Sequence, residues 1–127
     1  MQKLIIASLL FLPVAPALAV DCANATTQAD MNQCANEDYK KADGELNTTY
    51  KQALKATSGK QKSLLQAAQK KWIEYRDADC NFQTFKSKDG TVWPMNVSAC
   101  LQDKTQQRTK ELKSMLNCPE GDVSCPL

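Results

Sequence analysis

The 127-residue sequence contains no histidine. Histidine is the commonest general base in enzymes and the commonest metal ligand, so its absence removes the simplest route to acid–base or metal chemistry. The sequence also has no Cys-x-x-Cys pair, which argues against a structural zinc site. It has no glycine-rich phosphate loop and no calcium-binding loop. These absences predict a protein that has no metal, no cofactor and no enzymatic activity.

Paired carboxylates are the remaining candidates for acid–base catalysis, and Asp77 and Asp79 are one such pair. They are two residues apart in a stretch with helical periodicity, so their side chains point to different sides of the helix.

An excess of positive charge is also missing, since 16 Lys and Arg stand against 14 Asp and Glu. Proteins that bind nucleic acid usually carry a basic surplus or stripe, so no nucleic-acid partner is predicted.

Long apolar runs are missing except at the N-terminus. There Lys3 supplies a positive charge, residues 4–12 are apolar, and Pro13 and Pro16 follow. The small-residue stretch 17–19 then matches a cleavage site, so these residues are interpreted as a secretory signal peptide of the Sec type. The apolar run is too short to cross a bilayer.

Cleavage after Ala19 would leave residues 20–127 as a single domain with about one net positive charge. Cys22 does not directly follow the small residues of the cleavage site, so a lipid anchor is not expected. No later segment is apolar enough to enter a membrane. The leader indicates a bacterial protein that is periplasmic or secreted.

All six cysteines lie within residues 20–127. An even number behind an export signal indicates a disulfide framework, although six cysteines allow 15 pairings. The local set is favoured here: Cys22–Cys34, Cys80–Cys100 and Cys118–Cys125.

Helical periodicity predicts an all-α fold, a small disulfide-stabilised bundle of about three helices in which two long helices run antiparallel. Thr27 and Asp30 fit an N-cap and its partner at the start of a first helix over 28–57. A second helix is predicted over 60–85 and a third over 98–116. Between the last two, Gly90 and Pro94 mark residues 86–99 as a loop.

The second helix contains the most informative stretch, QKKWIEYRDADC over residues 69–80. Apolar residues and one aspartate recur there at steps of three and four, which predicts a face directed at the core. The members of that face are Leu65, Ala68, Trp72, Tyr75, Asp79 and Phe82.

The chain has two arginines, Arg76 and Arg108, and both fall on or beside apolar stripes. Arginine suits a buried, forked pairing with a carboxylate, and Asp79 is a candidate partner. Asp38, Asp43 and Glu45 are the other candidates. We interpret these pairs as structural and as fixing helix register; a charged functional site is the alternative.

Four segments carry a resemblance to a known family: TQADMNQCA over 27–35, ADGELNTTY over 42–50, AQKKWIEYRDADC over 68–80 and CLQDKTQQRTKEL over 100–112. With these motifs the chain resembles the secreted, cysteine-rich helical family named after the LprI lysozyme inhibitor. The resemblance covers nearly all of the mature chain and is most specific over residues 72–80. It implies an exported, all-helical protein and, for some members, inhibition of lysozyme. The family supplies no catalytic residues to transfer.

Lysozyme acts through two carboxylates in a cleft, and an inhibitor would block that cleft with a rigid projection. The loop over 86–99 is the predicted projection, with Trp93 and Met95 as apolar anchors. Lys86 and Lys88 would meet the carboxylates. The predicted partner is therefore a protein, either lysozyme or another peptidoglycan hydrolase. A structural alternative is that Trp93 packs back on the helices.

A different binding function is the main alternative, in which the protein is an immunity protein or an envelope stress or regulatory factor. Its contact surface would then be the same loop or the acidic residues of the first helix, which are Asp30, Glu37, Asp38 and Glu45. A homodimer formed through an exposed patch at Trp93 or Tyr39 is also considered.

Overall fold

The computed structural model describes residues 20–127, and three long α-helices account for most of them. The helices are α1 (Gln28–Lys55), α2 (Gly59–Gln83) and α3 (Trp93–Leu116), with short 3-10 turns at Cys22–Asn24 and Phe85–Ser87. No strand occurs within these residues. The predicted all-α, disulfide-stabilised bundle is confirmed. The signal-peptide prediction falls on residues 1–19, which lie outside the described part of the chain.

The first helix begins where its capping residue predicts. The Thr27 side-chain oxygen accepts a hydrogen bond from the backbone N–H of Asp30 at 3.1 Å, which satisfies one of the free donors of the first turn. The helix ends two residues earlier than predicted, at Lys55. Gly59 then opens α2 with φ of 54°, a left-handed conformation that glycine adopts without strain, so the chain reverses within three residues.

The third helix begins five residues earlier than predicted, at Trp93. The predicted loop over 86–99 is therefore wrong in its second half. Pro94 lies in the first turn of α3, where a backbone N–H has no partner within the helix and the fixed φ of proline suits the helical conformation. Proline here starts a helix and does not interrupt one. The connection that remains between α2 and α3 runs from Thr84 to Val92.

The closest helix packing in the bundle is between α1 and α3, which run parallel. Their start points meet, since Gln28 contacts Met95 and Asn32 contacts Thr91. The buried residues between them are mostly small: Ala42, Thr49 and Ala53 from α1, and Ser98, Thr105 and Thr109 from α3. Leu46 and Leu112 fill the centre and are 1% and 0% exposed. Small side chains allow the two helix axes to lie close together.

Helix α2 runs antiparallel to both of the others and makes few close backbone contacts with them. Its buried residues are Gln69, Arg76 and Cys80. Arg76 reaches Thr105 on α3, and Cys80 forms a disulfide bond with Cys100 at the start of α3. Long polar side chains and one covalent bond therefore hold α2 on the α1–α3 pair.

The predicted inward face of α2 is wrong in its phase. Tyr75 and Phe82 are 59% and 79% exposed, and Ala68 is exposed as well. The disulfide bond directs Cys80 inward. At 100° per residue, Tyr75 and Phe82 then lie about 140° and about 160° away from it. Leu65, Trp72 and Asp79 keep a half-buried position at the edge of the interface.

Three disulfide bonds join cysteines that follow one another in sequence: Cys22–Cys34, Cys80–Cys100 and Cys118–Cys125. This is the local set that the sequence analysis favours. The third bond closes the C-terminal tail, and the Gln61 side chain donates a hydrogen bond to the carbonyl of Pro126, so the tail lies against the start of α2. No helix within residues 20–127 is long and apolar enough to cross a membrane.

Candidate functional site

The corner between α2 and α3 contains the four residues predicted to bind a partner, Lys86, Lys88, Trp93 and Met95. Lys86 and Lys88 are exposed on the connection, while Trp93 and Met95 are half-buried in the first turn of α3. The indole N–H of Trp93 donates a hydrogen bond to the Thr84 hydroxyl at 3.3 Å. Trp93 therefore packs back against the end of α2 with part of its ring, and the two lysines are the more accessible members.

Side-chain hydrogen bonds tie this corner to the bundle. Asn96 donates to the Ser87 hydroxyl at 3.1 Å, and Asn32 of α1 donates to the carbonyl of Thr91 at 2.9 Å. The connection turns at Asp89, which has φ of 73°, a conformation that aspartate tolerates better than most residues. Because both ends of the connection are anchored, the lysines project from a fixed backbone.

Two exposed aromatic residues lie beside the corner and were missed as surface residues by the sequence analysis. Phe82 is 79% exposed and Phe85 is 69% exposed. They line a surface groove of about 470 Å³ together with Gln83 and Lys86. The signal was present in the sequence, because a Cys80 side chain directed inward for pairing with Cys100 requires an outward Phe82.

Both arginines lie in a buried cluster with aromatic rings. The Arg76 guanidinium lies between the rings of Tyr39 and Trp72, 5.6 and 5.3 Å from their centroids. Arg108 lies over the same Trp72 ring at 6.0 Å. Burial raises the pKa of the Tyr39 hydroxyl, although the neighbouring Arg76 charge lowers it in part. Cation–π stacking therefore links α1, α2 and α3 through charged side chains.

Of the four carboxylates predicted as partners of the arginines, Asp43 lies near Arg76 and Asp79 pairs with a lysine. Arg76 pairs with Asp77 at 3.0 Å and lies 3.9 Å from Asp43, one of the predicted candidates. Arg108 bonds Glu111 at 2.8 Å, and its Nε donates to Gln69 at 3.1 Å.

Asp79 pairs with neither arginine. It contacts Lys104 of α3 at 2.6 Å because its position on α2 lies at the edge of the interface. Asp77 and Asp79 thus pair with different cations.

The Asp79–Lys104 ion pair changes the protonation of both groups. The hydrogen bond from Lys104 lowers the pKa of the Asp79 carboxyl, and the Gln83 amide contributes in the same direction. The same bond raises the pKa of the Lys104 ammonium. The Lys104 ammonium also lies 5.2 Å from the centre of the Tyr75 ring. This group joins α2 to α3 at the surface, about one turn before α2 ends at Gln83.

These observations define a small disulfide-bonded helical protein in which buried arginines contribute to packing and the exposed aromatic residues lie toward the C-terminal end of α2. Within that class, the family described as "Lysozyme inhibitor LprI" matches residues 21–112, and the chain belongs to this family. Proteins of this family are secreted.

A relative from Rhizobium meliloti (strain 1021), described as an uncharacterized protein, is 39% identical to the chain. The match covers 90% of this chain and 94% of the relative. No solved structure matches.

Proposed function

We propose that the protein is an exported, non-enzymatic inhibitor of lysozyme or of a related peptidoglycan hydrolase. Membership of the family described by the words "Lysozyme inhibitor LprI" supports the class of partner. The contact surface is inferred from two exposed lysines, Lys86 and Lys88, which lie on a backbone segment anchored at both ends.

The charge of the corner suits such a target. Glycoside hydrolases of the lysozyme type use two carboxyl groups that flank the bond they cleave. Two ammonium groups that project from a rigid corner would pair with those carboxylates in a cleft from which water is partly excluded. The exposed ring of Phe85 and the accessible part of Trp93 would supply apolar contact beside the charges.

A rigid corner lowers the entropic cost of binding. The hydrogen bonds from Asn32 and Asn96 hold the connection in the unbound protein, so little ordering is left to occur in the complex. The Cys80–Cys100 disulfide bond fixes the two helix ends from which the connection emerges.

The test is inhibition of cell-wall lysis by lysozymes of several classes, with charge-reversal variants of the corner. We expect the double variant Lys86→Glu/Lys88→Glu to weaken inhibition about 100-fold, since two ammonium groups would be replaced by carboxylates that repel those of the enzyme. Both residues are exposed, so the melting temperature should stay unchanged.

The matched control is Lys60→Glu/Lys62→Glu, which makes the same charge change on exposed lysines at the opposite end of α2. It should inhibit as well as the unmodified protein. Equal weakening by both double variants would mean that net charge, and not the corner, determines inhibition. No inhibition of any lysozyme class by the unmodified protein would refute the proposed activity.

The acidic residues of α1 provide a second surface. Glu37, Asp38 and Glu45 are exposed, and many lysozymes are basic, so these carboxylates would favour encounter with such a partner. If the corner variants inhibit normally, Glu37→Lys/Asp38→Lys would test this surface. A binding function toward another envelope protein, as an immunity or regulatory factor, would then be examined by pull-down from envelope extract.

A further inference from the structure

Helix α2 carries an exposed stripe with the spacing of a coiled-coil seam. The six residues follow one another at steps of three and four: Ala68, Lys71, Tyr75, Ala78, Phe82 and Phe85. All six are exposed, and the last lies in the 3-10 turn that continues from α2. Alternating steps of three and four place side chains along one line of a helix, where they can interlock with a second helix. Within residues 20–127 the bundle leaves most of this line uncovered. The Lys104 ammonium lies 5.2 Å from the centre of the Tyr75 ring, which is still 59% exposed.

We propose that the seam pairs with the same seam of a second copy, the two α2 helices running antiparallel. This inference does not rest on the proposed inhibition of a hydrolase, and because both surfaces use Phe85, self-pairing would compete with binding of the enzyme there. The volumes of the seam residues support the pairing, because in one antiparallel register each aromatic ring faces a small or cationic side chain. Tyr75 faces Ala78 of the second copy, Phe85 faces Ala68, and Phe82 faces Lys71. Each contact occurs twice about the two-fold axis.

Other registers fit less well. Shifting the helices by one heptad in one direction sets Tyr75 against Phe85, two large rings at one level. Shifting them in the other direction sets Ala68 against Ala78 and leaves a gap. Alternation of large and small residues across the interface is what fills the space between two helices. Lys71 is the single charged residue of the seam, and one polar residue in such a seam commonly sets the register.

The pairing also suits the charges at the seam. The Lys71 ammonium is exposed and forms a surface ion pair with Glu74 at 3.3 Å. Such a pair is weak, so the ammonium can lie over a Phe82 ring of the second copy. In the same register Glu74 lies near Asn81 of the second copy, whose amide can donate to the carboxylate.

The size of the seam indicates a weak dimer. Three exposed aromatic rings and the side chains between them amount to roughly 500–700 Å² per chain. Specific interfaces bury about 800 Å² per partner, so the pair lies at the low end of that range. We expect dissociation in the micromolar range, about 1–100 µM.

Sedimentation equilibrium of the purified protein from about 5 to about 500 µM would measure the association. Phe82→Lys should weaken it at least about tenfold, because two pairs of ammonium groups then face each other. Val123→Lys places the same charge on the fully exposed apolar residue of the tail and should change nothing. Circular dichroism would show that both variants keep the helical fold.

The register has its own test. Lys71→Glu and Phe82→Lys should each weaken self-association, and an equimolar mixture of the two should associate more tightly than either alone. In the mixed pair the new carboxylate of one chain faces the new ammonium of the other. A monomer at all concentrations, equal weakening by Val123→Lys, or no recovery in the mixture would each overturn the proposed pairing.

Discussion

The two helix interfaces of the bundle are built from different kinds of side chain. Between α1 and α3 the buried residues are small and mostly uncharged, with Leu46 and Leu112 at the centre. Between α2 and that pair the buried residues include Arg76, Gln69 and a disulfide cysteine. The first interface depends on close packing of side chains, and such contacts are not directional. The second depends on directional contacts.

The difference between these two interfaces explains why charged side chains help to hold this small protein together. A helix that presents few apolar side chains inward must be held by other means, and α2 is held by stacked guanidinium groups, surface ion pairs and a covalent bond. Four large apolar side chains of α2 are exposed, whereas two others, Leu65 and Trp72, are half-buried; the exposed ones are Leu64, Ile73, Tyr75 and Phe82. Its outer surface is consequently richer in apolar side chains than its buried one.

The largest predicted effect is at the α1–α3 interface. Leu46→Ala should lower the free energy of unfolding by about 3 kcal/mol, because the residue is 1% exposed and the surrounding backbones cannot close the cavity. Denaturation by urea would measure it. Leu64→Ala, which makes the same change at a residue 56% exposed, should cost less than about 0.5 kcal/mol. Similar losses at both positions would contradict the close packing inferred for α1 and α3.

A smaller effect is predicted at the arginine cluster. Arg76→Met should destabilise the protein by about 2 kcal/mol, since two cation–π contacts and the bond to the Asp77 carboxylate are lost while the new side chain keeps apolar contact with Trp72. Urea denaturation and inhibition of lysozyme should be measured separately. Lys70→Met, at an exposed position of α2, is the control for loss of charge. Loss of inhibition in an Arg76 variant of unchanged stability would show that the cluster is a functional site.

The smallest predicted effect concerns pH and the ion pair between Asp79 and Lys104. A carboxyl whose pKa is lowered by folding contributes stability above its unfolded value, 3.8, and loses that contribution as pH falls through its folded pKa. The raised pKa of Lys104 works in the opposite sense, with stability present below 10.5 and lost as pH rises through the folded value. The pair therefore stabilises the fold between these limits.

Thermal melts of the unmodified protein and of Asp79→Asn would reveal this window. We expect the unmodified protein to melt at a higher temperature at about pH 7, and the difference between the two melting temperatures to shrink as pH falls below 3.8. Lys104→Met should show the same decrease at low pH, and the double variant should behave like either single one at neutral pH. A difference that stays the same from neutral pH to the lowest pH at which the protein folds would exclude the ion pair as its cause.

The periodicity of α1 and α3 could be predicted from the sequence because small and apolar residues define their buried faces. The phase of α2 could not, since Tyr75 and Phe82 lie on its exposed side and Trp72 is only half-buried. The error was correctable, however. Pairing of Cys80 with Cys100 was itself favoured, and an inward Cys80 places Phe82 on the far side of the helix. A covalent constraint therefore gives the phase of this helix more reliably than hydrophobicity does.

The candidate site was predictable only in part. Lys86 and Lys88 remain on the connection, as expected, but Trp93 and Met95 belong to α3. Pro94 was interpreted as part of a loop, but it lies in the first turn of α3. A proline that follows a glycine is compatible with either position, so it could not locate the start of the helix. The hydrogen bonds from Asn32 and Asn96 join residues that are far apart in sequence or on opposite sides of the turn. No local sequence pattern therefore predicts them.

The order of the disulfide bonds has a consequence for biogenesis. Consecutive cysteines pair, the first with the second, the third with the fourth and the fifth with the sixth, at separations of 12, 20 and 7 residues. A chain that emerges from an export channel N-terminus first would therefore expose its cysteines in the order in which they pair. Each native bond could then close before the next pair arrives, and no native bond has to wait for a cysteine that lies beyond a later pair.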